Sequence, residues 1–253
     1  MKKNKYCIVD IVIPNYNKAH YLNDCINSVI NQTLKNWRLF IIDDCSSDNS
    51  LKILDKFKRN KKIKIVKLRK NLGPGNARNM GIRLSKSKYL AFLDSDDLWK
   101  KNKLKSQISF MENSNISLSY TDYISFFENK KKIVKTNLIK KINYKTFLNN
   151  SSMNTSTMII KRKIIKNLRF YSNEHIEDYI FKCELLKKGH IAYKSPEHSA
   201  YYRIIKDSRS GKKIKNIFQL WRANKRFNNL SFFQNIKSIL LISINSLKKY
   251  GMK

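Results

Sequence analysis

Three acidic clusters carry the chemistry this chain could do. The run LAFLDSDDLW (90–99) places Asp94, Asp96 and Asp97 within four positions, between hydrophobic residues. Asp43 and Asp44 form a second cluster, and Glu177 and Asp178 a third. The chain has only 18 Asp and Glu against 53 Lys and Arg, so seven acids in three clusters are not an even supply of lysine partners. Like charges that close repel, and each cluster costs stability unless a cation or strong donor sits there. Carboxylates with one intervening residue are hard oxygen donors. They suit Mg²⁺ or Mn²⁺, bound through one or two carboxylates and completed by phosphate oxygens and water. A metal and a diphosphate on one side, with Asp178 as a carboxylate base on the other, describe group transfer from a nucleotide. The loop RKNLGPGNARNMGI (69–82) supplies donors for such a ligand: two glycines and a proline, a helix start and Arg78. Backbone N–H groups at a helix start favour anions. The loop lacks the GK[ST] ending of a P-loop.

The elements that must position these groups alternate two hydrophobic periods. IVDIVIP (8–14), WRLFIIDD (37–44), IKIVKL (63–68) and YLAFLD (89–94) read as strands. Between them, AHYLNDCINSVINQ (19–32), SSDNSLKILDKFKRN (46–60) and GNARNMGIRLSKS (75–87) read as helices. In the first of these, Leu22, Cys25, Ile26, Val29 and Ile30 fall on one face. This β-α-β-α-β-α-β order predicts a mostly parallel sheet with helices on both faces. In such sheets the ligand lies beyond the carboxyl ends of the strands. Asp43–Asp44 and Asp94–Asp97 sit at those ends, and the first strand ends at Pro14.

After residue 100 the pattern changes. A helix at 103–113 precedes a strand-like run at 116–127 and a basic turn, ENKKK (128–132). A strand at 154–162, a helix at 176–190 and an extended run at 191–205 follow. From Ser208 to Lys253 there are eleven Lys and Arg and no acid, in what reads as two amphipathic helices. The division expected is a catalytic domain over 1–210 and a basic helical tail over 211–253. Phe232, Phe233, Ile236, Ile239, Leu240 and Leu247 recur at helical spacing, with Lys237, Lys248 and Lys249 among or beyond them. Such a helix can lie in an anionic membrane interface or pack on the catalytic domain.

The segments VDIVIPNYNKAHYLNDCINSVINQT, WRLFIIDDCSSDNS, NLGPGNARNMGI, YLAFLDSDDLW and IEDYIFKCELLKKG, in this order, resemble a family-2 glycosyltransferase of the bacterial surface-polysaccharide type, with the GT-A fold. The resemblance covers roughly residues 7 to 210 and rests on five ordered motifs. It implies that Pro14, Tyr16, Asp43 and Asp44 hold the nucleotide base and ribose, with Asp44 favoured for the base. Gly73 and Ser95 join the substrate-binding set, and Arg78 matches a donor-binding arginine. Asp94 and Asp96 match the metal-binding DxD element, with Asp97 an alternative ligand. Asp178 matches the base of inverting members and Glu177 its acidic neighbour. The implied donor is a nucleotide sugar, UDP being preferred, with Mn²⁺ or Mg²⁺ as cofactor. The implied acceptor is a growing glycan on a lipid carrier. Two departures stand out. Cys45 replaces the glycine usual after the paired aspartates, where positive φ would strain a side chain. Ile205 replaces a histidine common after the YR element.

The net charge of +35 points to an anionic partner, and nucleic acid is one rival reading. Against it, the acidic clusters would face the same phosphates, and no nucleic-acid module signature appears. A nucleotidyltransferase is the second rival, but it lacks use for the downstream Glu177–Asp178 pair. Cys7, Cys25, Cys45 and Cys183 form no CxxC pair, so neither a zinc site nor a disulfide framework is expected. The apolar run near the N-terminus is broken by Asp10 and Pro14, too short for a signal peptide core. A cytoplasmic protein, peripheral on the inner membrane face, is the expected setting. Trp99 is expected in the core, and His175 and His198 as ordinary histidines.

Overall fold

The computed structural model describes residues 7–127, 133–136, 138–172, 174–205 and 213–250. The basic turn expected at 128–132 and the start of the tail lie outside them. The first half runs β1 (Val9–Asn15), α1 (Ala19–Ile30), β2 (Trp37–Asp43), α2 (Ser50–Asp55), β3 (Ile63–Lys67), α3 (Pro74–Leu84) and β4 (Tyr89–Phe92). The second half runs β5 (Leu98–Trp99), α4 (Lys103–Asn113), β6 (Leu118–Phe127), β7 (Ile133–Lys135), β8 (Lys141–Ile142), α5 (Tyr144–Asn150), β9 (Ile159–Lys161), α6 (Glu177–Lys187), β10 (Ala192–Ile204), α7 (Lys213–Asn228) and α8 (Phe232–Tyr250).

One sheet has the order β3-β2-β1-β4-β9-β6-β10-β5. The first four strands are parallel, as the alternation predicts. Antiparallel β9 then joins β4 to β6, so the second half is mixed. The strand order reverses at β1, between β2 and β4, which is where an open sheet leaves a crevice. Register brings the polar ends together: Asn15 pairs with Asp43, and Val12 with Phe92 two residues before Asp94.

Strand β1 is buried along its whole length, as its β-branched run requires in the middle of a sheet. On α1 the expected stripe is inward, with Leu22, Cys25, Ile26 and Val29 buried. Gly81 lets α3 sit on that sheet. A Cβ there would lie 2.3 Å from Cγ1 of Val12, so no larger residue fits. Asp10, also buried, accepts from Nε and Nη2 of Arg38 at 3.0 and 3.1 Å and from the backbone N–H groups of Lys86 and Ser87. It is a structural acid.

Several boundaries differ from the expected ones. The helix expected at 46–60 shortens to Ser50–Asp55 and unwinds into turns. The strand expected at 154–162 is a 3-10 turn, Thr155–Thr157, followed by the short β9. The Asn154 side chain takes the Ser156 N–H at 2.8 Å, a local cap that outcompetes the strand there. Trp99 is in the core, and its indole N–H donates to the Ser156 carbonyl at 2.7 Å.

Lys103 is fully buried beneath Trp99 and has no acid partner among the described residues. Its Nζ donates to Gln107 Oε1 at 2.6 Å and to the Thr157 carbonyl at 3.1 Å. Burial pushes its ammonium down to about 7. Between there and the ordinary lysine range of about 10.4, the unfolded chain holds a proton that the folded chain has released. Stability therefore rises with pH across that window, by up to about 1.4 kcal/mol per pH unit from this group. Lys103→Met should remove that slope. Urea denaturation should show the variant's advantage over wild type shrinking from pH 7 to pH 9, and an unchanged difference would sink the assignment.

The tail does not stand apart. Asn224 on α7 accepts from the Tyr179 hydroxyl at 2.8 Å, and Asn245 on α8 donates to the Asn149 carbonyl at 3.1 Å. Ser238 donates to the Leu148 carbonyl. Both helices are thereby fixed to α5 and α6.

Candidate active site

The carboxyl ends of β1, β2 and β4 open onto a cleft of about 1220 Å³. Pro14, Asn15, Tyr16 and Lys18 from the first strand end line it, with Asp44 from the second and Asp94, Ser95 and Asp96 from the fourth. Pro74 and Arg78 of α3 and Glu177, Asp178 and Lys182 of α6 complete that end. All three acidic clusters therefore contribute to one cavity.

Within each cluster the members diverge. Asp44 is on the cleft wall, and its carboxylate caps the loop before α3, taking the N–H groups of Leu72 at 2.8 Å and Gly73 at 2.7 Å. Burial raises its pKa, which those two N–H groups oppose and the neighbouring Asp43 reinforces. Gly73 sits at φ +85, a conformation that glycine adopts without strain. Its N–H is shared between Asp44 and Asn71 Oδ1, the latter at 3.1 Å. Asp43 itself is buried outside the cleft, held by Asn15 Nδ2 at 2.8 Å and Ser46 Oγ at 2.6 Å. The turn between them keeps a left-handed residue despite the cysteine: Cys45 has φ +64. That conformation costs a side-chain residue roughly 1–2 kcal/mol.

The second cluster divides the same way. Asp94 and Asp96 face the cleft, whereas Asp97 is buried behind it. Asp97 takes Ser156 Oγ–H at 2.6 Å and the Arg203 N–H at 3.0 Å, so both oxygens are engaged. Burial and the charges of Asp96 and Asp94 push its carboxyl well above the usual range. Asp94 and Asp96 are engaged by cations. Arg78 Nη2 is 2.7 Å from Asp94 Oδ1, and Lys18 Nζ is 2.8 Å from Asp96 Oδ2.

Arg78 ties the second cluster to the third. It is buried, and its other terminal nitrogen is 3.1 Å from Glu177 Oε1. Burial disfavours its charge, but Asp94, Glu177 and Asp178 outweigh that and raise its pKa. Asp178, with its side chain 40% exposed, opens α6 toward the cleft. Lys182 one turn on donates to its Oδ2 at 2.7 Å, and Thr155 to the same oxygen at 3.2 Å. The surrounding protein raises its pKa. The charge and hydrogen bond of Lys182 and the charge of Arg78 prevail, and hold the carboxyl well below the usual carboxylate range.

Four contributors were not singled out from the sequence. Lys182 had a signal, the i,i+4 spacing from Asp178. Lys18 had none beyond being basic. Arg203 lines the cleft and donates from Nε to the Asp96 carbonyl at 3.0 Å, taking up the strand end where Ile205 departs from the family pattern. Ser156 is the least expected. It accepts from Asp94 N–H at 3.1 Å and donates to Asp97, while Thr155 beside it reaches Asp178. The 3-10 turn thus links both acidic clusters. His175 lines the cleft, and the ring of His198 meets the Thr136 carbonyl at 2.8 Å.

The cleft's far end is built by the tail. Asn216 and Leu220 of α7 and Ile242, Asn245 and Ser246 of α8 face Phe147 and Asn150 of α5 across it.

A parallel half-sheet joined to a mixed one, with a cleft at the carboxyl ends, is the GT-A glycosyltransferase fold. The mannosyltransferase PcManGT from Pyrobaculum calidifontis, in complex with GDP-Man and Mn²⁺, matches it with a TM-score of 0.69 at 12% identity, over 99% of this chain and 77% of that one. Residues 10–169 match the model of Glycosyl transferase family 2, and the chain belongs to that family. It is 30% identical to the putative teichuronic acid biosynthesis glycosyltransferase TuaG of Bacillus subtilis, over 96% of this chain and 97% of that protein. It is 34% identical to the UDP-Glc:alpha-D-GlcNAc-diphosphoundecaprenol beta-1,3-glucosyltransferase WfgD of Escherichia coli, over 85% of this chain and 84% of that one.

Proposed function

We propose that this glycosyltransferase moves a sugar from a UDP-sugar to a lipid-linked glycan acceptor, with inversion and with a divalent metal, at the inner face of the cytoplasmic membrane. The observation that carries the reading is the convergence of Asp44, Asp94, Asp96 and Asp178 on one cleft. Its volume of about 1220 Å³ exceeds the roughly 300–1,000 Å³ of a pocket for one small ligand, leaving room for donor and acceptor. The names of WfgD and TuaG support the donor, the acceptor class and the place in surface-glycan synthesis.

Pro14, Tyr16 and Asp44 hold the base and ribose, with Asp43 supporting from behind. Gly73, Ser95 and Arg78 shape the diphosphate side. Asp94 and Asp96 fit Mn²⁺ or Mg²⁺, which takes one or two carboxylates and fills its remaining positions with phosphate oxygens and water. Among the described residues no group of three or more His, Cys, Asp or Glu could hold a metal alone, so the fit depends on the donor's own phosphates. Asp97 serves the pair by shaping their loop. When bound, the ion neutralises charge on the departing diphosphate. Asp178 accepts the acceptor hydroxyl's proton, Glu177 positions Arg78, and Lys182 aims the base. Nucleic acid is not a partner in this reading, because the cleft's acids repel its phosphates.

Thermal unfolding tests the donor site. UDP with Mn²⁺ should raise the midpoint, by an amount equal to about 2.7 kcal/mol at a hundredfold excess over Kd, while neither does so alone. A preference for GDP or CDP would correct the base, and no response to any nucleotide would remove the reading.

A further inference from the structure

The two tail helices bury a polar set of side chains and leave a run of apolar ones exposed. A surface helix ordinarily turns its apolar stripe to the core. Here Leu220, Ala223 and Phe227 pack inward, but so does a polar set: Asn224 donates to Asn235 Oδ1 at 2.9 Å, Asn228 donates to Asn224 at 2.9 Å, and Ser238 is buried beside them. A second set of apolar residues faces out. Ile214 and Phe218 on α7 are 74% and 66% exposed, and Phe233 and Leu240 on α8 are 80% and 56% exposed. Ile244 and Leu247 continue the α8 stripe at helical spacing. Ring contacts from Trp221 to Phe232 at 5.5 Å and from Phe232 to Phe233 at 5.7 Å join the two stripes at the inter-helix turn. Lys215, Arg222, Lys225 and Lys237 stand exposed around them. A connected apolar patch with a charged rim marks an interaction site.

We propose that the outward faces of α7 and α8 dock the protein on an anionic lipid bilayer. Charge selects this occupant. Residues 213–250 contain no acid, so a second copy would bring only more positive charge, on chains that each carry +35. An anionic bilayer supplies counter-charge at the headgroups and an apolar layer beneath them. Among the described residues no helix is long and apolar enough to cross a membrane, so the pair lies in the interface. The inner sides of the same helices wall the cleft, which places its far end within roughly 10 Å, one helix diameter, of the lipid. The docking does not rest on the proposed reaction.

The test is co-sedimentation of the full chain with vesicles of phosphatidylglycerol or of phosphatidylcholine. The wild type should bind the first and not the second, and high salt should release it. The triple variant Phe233→Ser, Leu240→Ser, Ile244→Ser should lower partitioning at least about tenfold with unchanged circular dichroism, since all three side chains are outside the packed interior. The variant Lys215→Ser, Lys225→Ser, Lys237→Ser should lose the preference for anionic vesicles. The proposal is overturned if the apolar variant binds as wild type does. It is also overturned if the wild type is a dimer that the apolar variant makes monomeric, with neither binding vesicles.

Discussion

Asp96→Asn should abolish turnover, to on the order of a thousandth of wild type or less, while the protein stays folded. The amide keeps the volume of the carboxylate and removes the charge that would face the metal and diphosphate. Its cost to the fold is small. Asp96 pairs with Lys18 at 2.8 Å with both side chains partly exposed, at 23% and 30%, and such pairs contribute up to about 1 kcal/mol. Steady-state turnover and thermal unfolding on the same preparation check this. Retained activity with unchanged Mn²⁺ dependence would remove Asp96 from the metal site.

Asp178→Asn separates chemistry from binding. The donor end of the cleft is untouched, so UDP binding should persist while transfer falls by about 10²–10⁴. Lys182, nearly buried at 4% side-chain exposure, loses its carboxylate partner. A fully buried broken pair costs about 3–5 kcal/mol, and the 40% exposure of Asp178 reduces this to roughly 1–2 kcal/mol. The double variant Asp178→Asn, Lys182→Met should recover that stability without recovering transfer. Because Lys182 and Arg78 depress its pKa, Asp178 is ionised throughout the neutral range. Its contribution to stability is present above the ordinary Asp value of about 3.9 and is lost as pH falls through the lower folded value. Loss of nucleotide binding with transfer intact would make Asp178 a donor-site residue.

The parallel half of the fold was legible because its strands and helices alternate in short, strongly periodic runs. Asp44, Asp94, Asp96 and Asp178 were legible because acids are scarce here and these stand at strand or helix ends. Their neighbours Asp43 and Asp97 look the same in the sequence, but Asp43 and Asp44 point to opposite sides at the end of an extended strand, and Asp97 closes a turn in which its N–H returns to the Asp94 carbonyl at 3.0 Å. Which side faces the cleft depends on partners far away: Asn15 for Asp43, Ser156 and Arg203 for Asp97. The role of Ser156 was not legible, because the 3-10 turn that aims it arises from a local Asn154 cap inside an apparently strand-like run. The tail's periodicity gave two helices correctly but not their orientation. Hydrophobic spacing identifies apolar positions, and the asparagine contacts to α5 and α6 together with the exposure of Phe218, Phe233 and Leu240 show which of them turn outward.

The most direct measurement of the central claim is product analysis after incubating the purified chain with UDP-glucose, with Mn²⁺ or with EDTA, in the absence of acceptor. The account predicts slow release of glucose and UDP with Mn²⁺, and none with EDTA or in Asp96→Asn. Release of UMP and glucose phosphate would place the cleaved bond between the phosphates and contradict a glycosyl transfer at this site.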